Sequence, residues 1–239
     1  MKVNLSRSEL ALNGGAPIRI TSWSDNLTTG EEEKKAVLRV LDSGYLSKFE
    51  GSHTPDPPFS FYGGPEVQAL EKEWNSYYGC KHSVSVNSAT SGLYAAIGAL
   101  GIGYGDEVIV SPYTMTACAI APLLFGAIPV FADVDEETAC MSPESIEQVI
   151  SHRTKAILIV HQFGIPADIT QIMALAESYN LRVIEDCAQA IGATVNGQKV
   201  GLQGDIGIFS FYATKLMTSG GQGAELEAEG GGVTLEDFR

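Results

Sequence analysis

Between His82 and Cys187, short runs rich in β-branched residues alternate with segments of helical period: HSVSV then TSGLYAAIGAL, EVIVS then a segment reaching Phe125, IPVFADV then SPESIEQVI, KAILIV then ADITQIMALAESY, and finally LRVIEDC. Strands that alternate with helices join through right-handed βαβ crossovers, which predicts a largely parallel sheet covered by helices on both faces. The near-continuous apolar run AILIV (156–160) fits a strand buried on both sides. Two further short strands are expected around 193–195 and 206–211. Ligands of such sheets sit beyond the carboxyl ends of the strands, so chemistry is sought in the residues that follow VSV, IVS, LIV and VIE.

The flanks read differently. Residues 30–44 begin acidic, carry Ala36, Val37, Val40 and Leu41 at helical spacing and end on Gly44, which predicts one amphipathic helix. Residues 48–66 are dense in Pro, Gly and aromatics and are expected to form a long surface loop that shapes a binding site. Helical spacing resumes over 65–79. After Met217 the sequence SGGQGAELEAEGGGVTLEDFR has no clear apolar period until Val233, so a flexible or poorly packed tail is expected.

Composition narrows the function classes. With 44% hydrophobic and 18% charged residues the chain can bury a sizeable core. Its 15 basic against 29 acidic residues give a net charge of −14, which argues against nucleic acid and anionic membranes as partners. No apolar stretch approaches the roughly 20 residues that span a bilayer, and MKVNLSRSELALNGG lacks the apolar core of a signal peptide, so a cytoplasmic location is expected. Cys80, Cys118, Cys140 and Cys187 have no CxxC or CxxH spacing, which predicts reduced core residues with neither a metal site nor a disulfide framework.

Four motifs fall at strand ends. NSATSG (87–92) opens a helix, where Thr90 and Ser91 offer hydroxyls and free N–H groups to an anion, or simply cap the helix. VIEDCAQA (183–190) ends an apolar strand in Glu185 and Asp186; a carboxylate there needs a cation or a set of donors, although a turn aspartate is also common. GDIGIFSFYATK (204–215) runs from a strand through Ser210 to Lys215, a residue type that is usually solvated. SPYTMTA (111–117) follows EVIV, where it could cover a ring. His161, just after LIV, is expected to be hydrogen-bonded structure rather than a catalyst. GIGYG (101–105) follows a helix and precedes a strand, the reverse of a dinucleotide-binding turn, and neither a P-loop nor a GxSxG elbow occurs.

Taken in this order, with LALNGG, GAIPVFADVD and RTKAILIVHQFG, the motifs resemble the large domain of the DegT/DnrJ/EryC1/StrS family of pyridoxal-phosphate-dependent aminotransferases, over about residues 12–217. The resemblance implies the α/β large domain of a fold type I enzyme, a mostly parallel sheet with helices on both faces. It divides the chain into an N-terminal arm, helix and substrate-side loop (1–64), a pyridoxal-phosphate-binding large domain (65–219) and an atypical Gly/Glu-rich tail (220–239). By the same resemblance Lys215 holds the cofactor covalently and then shuttles a proton, and Asp186 keeps the pyridine nitrogen protonated. Gln189 meets the phenolic oxygen, while Thr90, Ser91 and Ser210 meet the phosphate. Met115 falls where many members stack an aromatic ring on the cofactor, a face that a thioether can also cover.

The family's reaction moves an amino group from an amino acid, glutamate or glutamine, to a keto-sugar linked to a nucleotide or to a keto-cyclitol, in homodimers whose active sites form at the subunit interface. Members continue past the lysine with a Gly-Glu-Gly-Gly-type turn and a smaller C-terminal domain, whereas here Lys215 is followed by LMTSGGQGAELEAEGG, so the small domain is expected to be missing. A truncated, inactive member or one half of a split enzyme acting as an interaction subunit is the alternative expectation. The family's dehydratases typically carry histidine in place of the lysine, and Lys215 weighs against that branch.

Overall fold

The computed structural model describes residues 10–22, 29–44, 46 and 63–219, together with the backbone of 222–227. The chain divides into two compact units, 1–61 and 62–239. In the first, helix α1 (Glu31–Asp42) begins with three acidic residues, which suit the positive end of its dipole, and the Glu33 carboxylate accepts the Gly30 N–H at 2.6 Å. Residues 48–62 of the expected surface loop lie outside the described residues.

The second unit opens with α2 (Pro65–Tyr78), started by proline at its first position and stopped by Gly79 at φ 78°. It continues through β1 (His82–Val86), α3 (Ala89–Ala99), β2 (Glu107–Val110), α4 (Ala117–Leu124), β3 (Ile128–Phe131), α5 (Pro143–Val149), β4 (Thr154–Val160), α6 (Ile169–Tyr179) and β5 (Arg182–Asp186). A two-stranded ribbon, β6 (Thr194–Val195) and β7 (Gln198–Lys199), precedes β8 (Ile206–Phe211) and β9 (Gln222–Glu227). Seven strands form one sheet in the order β1-β9-β8-β5-β4-β2-β3, parallel from β8 to β3.

β9 corrects the reading of a flexible tail for residues 222–227; residues 228–239 lie outside the described residues. Residues 222–227 lie inside the sheet, antiparallel to both β1 and β8. A strand between two others has backbone partners on both edges, so its place does not depend on a continuous apolar pattern in its own sequence.

Side-chain alternation sorts the core onto two faces. Ala156, Leu158 and Val160 of β4 join Ile184 of β5 and Ile206 and Ile208 of β8 under α3 and α4. Ile157 and Ile159 join Val183 under α5 and α6. Phe209 and Phe211, also on that second face, pack against Trp74 and Tyr78 of α2, with Phe209 meeting the Trp74 ring edge-on at 5.3 Å. The register pairs Val160 with Asp186 and Asp186 with Ile208, so β4 and β5 end level with one another while β8 runs three residues further, carrying Ser210 beyond Asp186. Among the described residues no helix is long and apolar enough to cross a membrane, and all four cysteines are free.

Candidate active site

The period of two decides which strand-end groups meet. Asp186 lies two residues beyond Ile184, and Ser210 two beyond Ile208, so both point to the face covered by α3 and α4. Glu185 and Phe209 point to the other. On the first face a cavity of about 350 Å³ opens at the carboxyl end of the sheet. Thr90, Met115, Asp186, Gln189, Ser210 and Lys215 all line it, six of the seven residues singled out in the sequence. Met115 is largely exposed, so it stands at the rim and not in the floor.

Ser91 is the seventh and does not line the cavity. Ser88 is the N-cap of α3; its Oγ accepts the Ser91 N–H at 3.1 Å, and the Ser91 hydroxyl donates to Asn87 at 2.6 Å. About 100° of rotation per residue turns Ser91 away from the wall that Ser88, Ala89 and Thr90 form. Ser88 is the residue that sequence reasoning passed over, although serine directly before a helical run is the ordinary N-cap signal. Thr114, Tyr212 and Thr214 also line the cavity and were not foreseen.

Asp186 is only 6% exposed. Its Oδ1 accepts the Ala188 N–H at 2.9 Å, and its Oδ2 accepts the thiol of Cys118, on α4, at 3.2 Å. Burial pushes the carboxyl above its ordinary pKa, and the Ala188 N–H, the Cys118 thiol, Lys215 and His161 oppose this without cancelling it. A carboxyl in that condition suits a protonated nitrogen presented from the cavity. The Gln189 Oε1 accepts the Phe163 N–H at 3.0 Å and its Nε2 donates to Gln162 Oε1 at 3.5 Å, which orients the amide and leaves one Nε2 hydrogen as a donor. Lys215 sits in the turn after β8, its N–H bonded to the Tyr212 carbonyl at 2.9 Å. At the α3 end, first-turn N–H groups and the Thr90 and Ser210 hydroxyls form a setting for an anion.

On the opposite face Glu185 and His161 are fully buried, away from the cavity. The Glu185 carboxylate accepts the N–H groups of Gly201 (2.8 Å), Gln203 (2.8 Å) and Gly204 (2.6 Å), and faces His161 Nε2 at 3.0 Å. His161 Nδ1 accepts the Ala167 N–H at 3.1 Å, so its proton is on Nε2 and the pair is neutral imidazole with carboxylate. His161, Glu185 and Cys187 have ligand atoms within 4.8 Å of one another, but these donors already occupy both Glu185 oxygens and both ring nitrogens.

Comparison with known proteins decides the family: the model of the DegT/DnrJ/EryC1/StrS aminotransferase family matches residues 59–237. The chain belongs to that family. This DegT-family chain is 52% identical over 164 residues to a UDP-N-acetyl-3-dehydro-alpha-D-glucosamine 3-aminotransferase of Acidithiobacillus ferrooxidans, covering 69% of the chain and 44% of the relative. It is 35% identical over 228 residues to the L-glutamine:2-deoxy-scyllo-inosose aminotransferase of Streptomyces kanamyceticus, covering 94% and 51%. A Streptococcus pneumoniae structure assigned to a sugar aminotransferase, in its PLP form, superposes with a TM-score of 0.73 at 29% identity, over 84% of this chain and 51% of that one. The DegT-family chain thus spans about half the length of the relatives it matches. Pyridoxal phosphate is the cofactor of the family, and the donor set of the cavity fits it: a buried carboxyl suited to a cationic nitrogen, an oriented amide donor, an amine, and hydroxyls at a helix N-terminus.

Proposed function

We propose that this chain is the pyridoxal-phosphate-binding part of an aminotransferase that moves an amino group from glutamate or glutamine to a keto-sugar linked to a nucleotide, or to a keto-cyclitol. The observation that carries the reading is the convergence of buried Asp186 with Gln189, Ser210, Thr90 and Lys215 on one cavity, from three separate stretches of sequence. The two relatives' names supply the acceptor classes, and one of them the glutamine donor. The amino transfer is proposed for the protein that contains this span, working as a cytoplasmic homodimer.

When bound, pyridoxal phosphate supplies an electron-accepting ring that stabilises negative charge at the carbon bearing the amino group. The Asp186 carboxylate would accept the hydrogen bond of the ring nitrogen and keep that nitrogen protonated. Gln189 Nε2 would donate to the phenolic oxygen. The Ala89 and Thr90 N–H groups and the Thr90 and Ser210 hydroxyls would hold the phosphate and anchor the far end. Lys215 Nζ would hold the group covalently and, once free, would be the amine placed to move a proton at the substrate carbon. Met115, at the rim, would shield the ring from water.

The test is the visible absorbance spectrum of the chain mixed with pyridoxal phosphate and freed of unbound cofactor, beside Lys215→Ala. The long-wavelength band of lysine-bound cofactor is expected in the parent and absent in the variant. An identical band in both would remove Lys215 from its role.

A further inference from the structure

Cys118 and Asp186 are 68 residues apart in sequence, yet they meet in the interior with sulfur 3.2 Å from Oδ2. Cys118 is wholly buried, and Asp186 nearly so. A carboxylate has about four lone-pair positions, and its terminal torsion is broad and roughly two-fold, so a buried aspartate needs contacts on both oxygens to hold one orientation. Ala188 supplies the contact on Oδ1 and Cys118 the contact on Oδ2. The remaining lone pairs are left for the cavity that Asp186 lines.

We propose that Cys118 is a positioning residue for Asp186: its thiol pins the carboxylate in the orientation that presents it to a cationic ring nitrogen, without neutralising it. This rests on the cofactor reading given above and deepens it. The choice of sulfur has a physical reason. A thiol is a weak donor, so it fixes direction while leaving most of the carboxylate's basicity for the ligand, where a stronger donor would draw that basicity away. Burial, reinforced by the Asp186 charge, pushes the Cys118 thiol up, so it stays protonated and remains a donor. The Thr114 hydroxyl, on the cavity wall beside the sulfur, acts on the thiol in the opposite sense and makes no hydrogen bond of standard geometry. The other charged or titratable groups acting on Asp186 are Lys215, after β8, and His161, after β4.

Two measurements on the full chain test this, and the first needs no cofactor. The infrared S–H band of Cys118 is assigned by its loss in Cys118→Ser, and it is expected to move to higher frequency in Asp186→Asn, where the anionic acceptor is gone. A Cys118 band unmoved by Asp186→Asn overturns the proposal, whatever the cofactor does. The second is titration with pyridoxal phosphate, with the pH dependence of its absorbance followed in the parent, Cys118→Ala and Cys118→Ser. Loss of one hydrogen bond to a charged acceptor predicts about tenfold weaker binding in Cys118→Ala. The serine variant, which keeps a donor, is expected to recover binding and to displace the spectral titration. Parent-like affinity and titration in Cys118→Ala would overturn the positioning role. Failure of the parent itself to bind, with the infrared shift intact, would count against the cofactor reading alone.

Discussion

Replacing Glu185 by glutamine removes one negative charge and adds two donors at a place already crowded with donors. The native carboxylate receives Gln203 and Gly204 N–H on Oε1, and Gly201 N–H with His161 Nε2 on Oε2. If the new amide keeps its oxygen at the Oε1 position, its NH2 group faces Gly201 N–H and His161. Switching the imidazole tautomer to relieve the second clash turns Nδ1–H against the Ala167 N–H. If the amide flips, its NH2 group faces Gln203 and Gly204 instead. Every arrangement leaves at least two donor–donor conflicts in a site with no exposure. With about 1–3 kcal/mol for each unsatisfied buried donor, and at least two of them, the expected loss is about 2–6 kcal/mol. That is a large part of the roughly 5–15 kcal/mol that stabilises a domain.

The pH dependence has a definite sign. Burial raises the Glu185 carboxyl, but His161 and the Gly204 and Gly201 N–H groups outweigh it and hold the pKa below its ordinary value. A pKa lowered in the folded state contributes stability that is present above the unfolded value, about 4.3, and is lost as pH falls through the folded value. Urea unfolding followed by circular dichroism, at pH 7 and across the acid range, is the assay. A wide gap between parent and Glu185→Gln at pH 7, closing as the parent's own carboxyl protonates, is expected. A gap under about 1 kcal/mol at pH 7, or one that does not narrow in acid, would refute the reasoning.

Phe209→Ala empties the aromatic cluster with Trp74 and Tyr78 and is expected to cost about 3–5 kcal/mol in the same unfolding assay. Gly207→Ala drives a Cβ into the Gly201 carbonyl oxygen, a backbone atom that cannot swing aside; soluble yield is expected to collapse, whereas Gly103→Ala, with open space around it, is expected to express normally. Ser88→Ala removes the α3 cap and is expected to cost about 1 kcal/mol, with weaker binding of inorganic phosphate at that helix end by calorimetry.

Much of the architecture was legible because it is local or periodic. Alternating strand and helix patterns between 82 and 186 marked the sheet, and the rule that ligands gather at strand ends singled out Asp186, Ser210 and Thr90 before any contact was known. The resemblance added Gln189 and Met115, and gave a role to Lys215, which already closed one of the strand-end motifs. The placement of β9 was not legible, since pairing with β1 and β8 depends on chain segments far away in sequence and not on the Gly/Glu-rich composition of 222–227. The exclusion of Ser91 came from helix phase once Ser88 was the cap, a shift of one position that strand-end logic does not resolve.

What the sequence determined by itself, then, was the alternation of elements and the side-chain types at their ends, because hydrophobic period and capping chemistry act within a few residues. Only the tertiary structure decided that Asp186 faces a cavity while its neighbour Glu185 faces three backbone donors and a histidine, and that Cys118 stands behind Asp186. Strand pleat sends adjacent residues to opposite faces, but which helix covers each face, and which side chain it brings, is set by packing across the whole sheet.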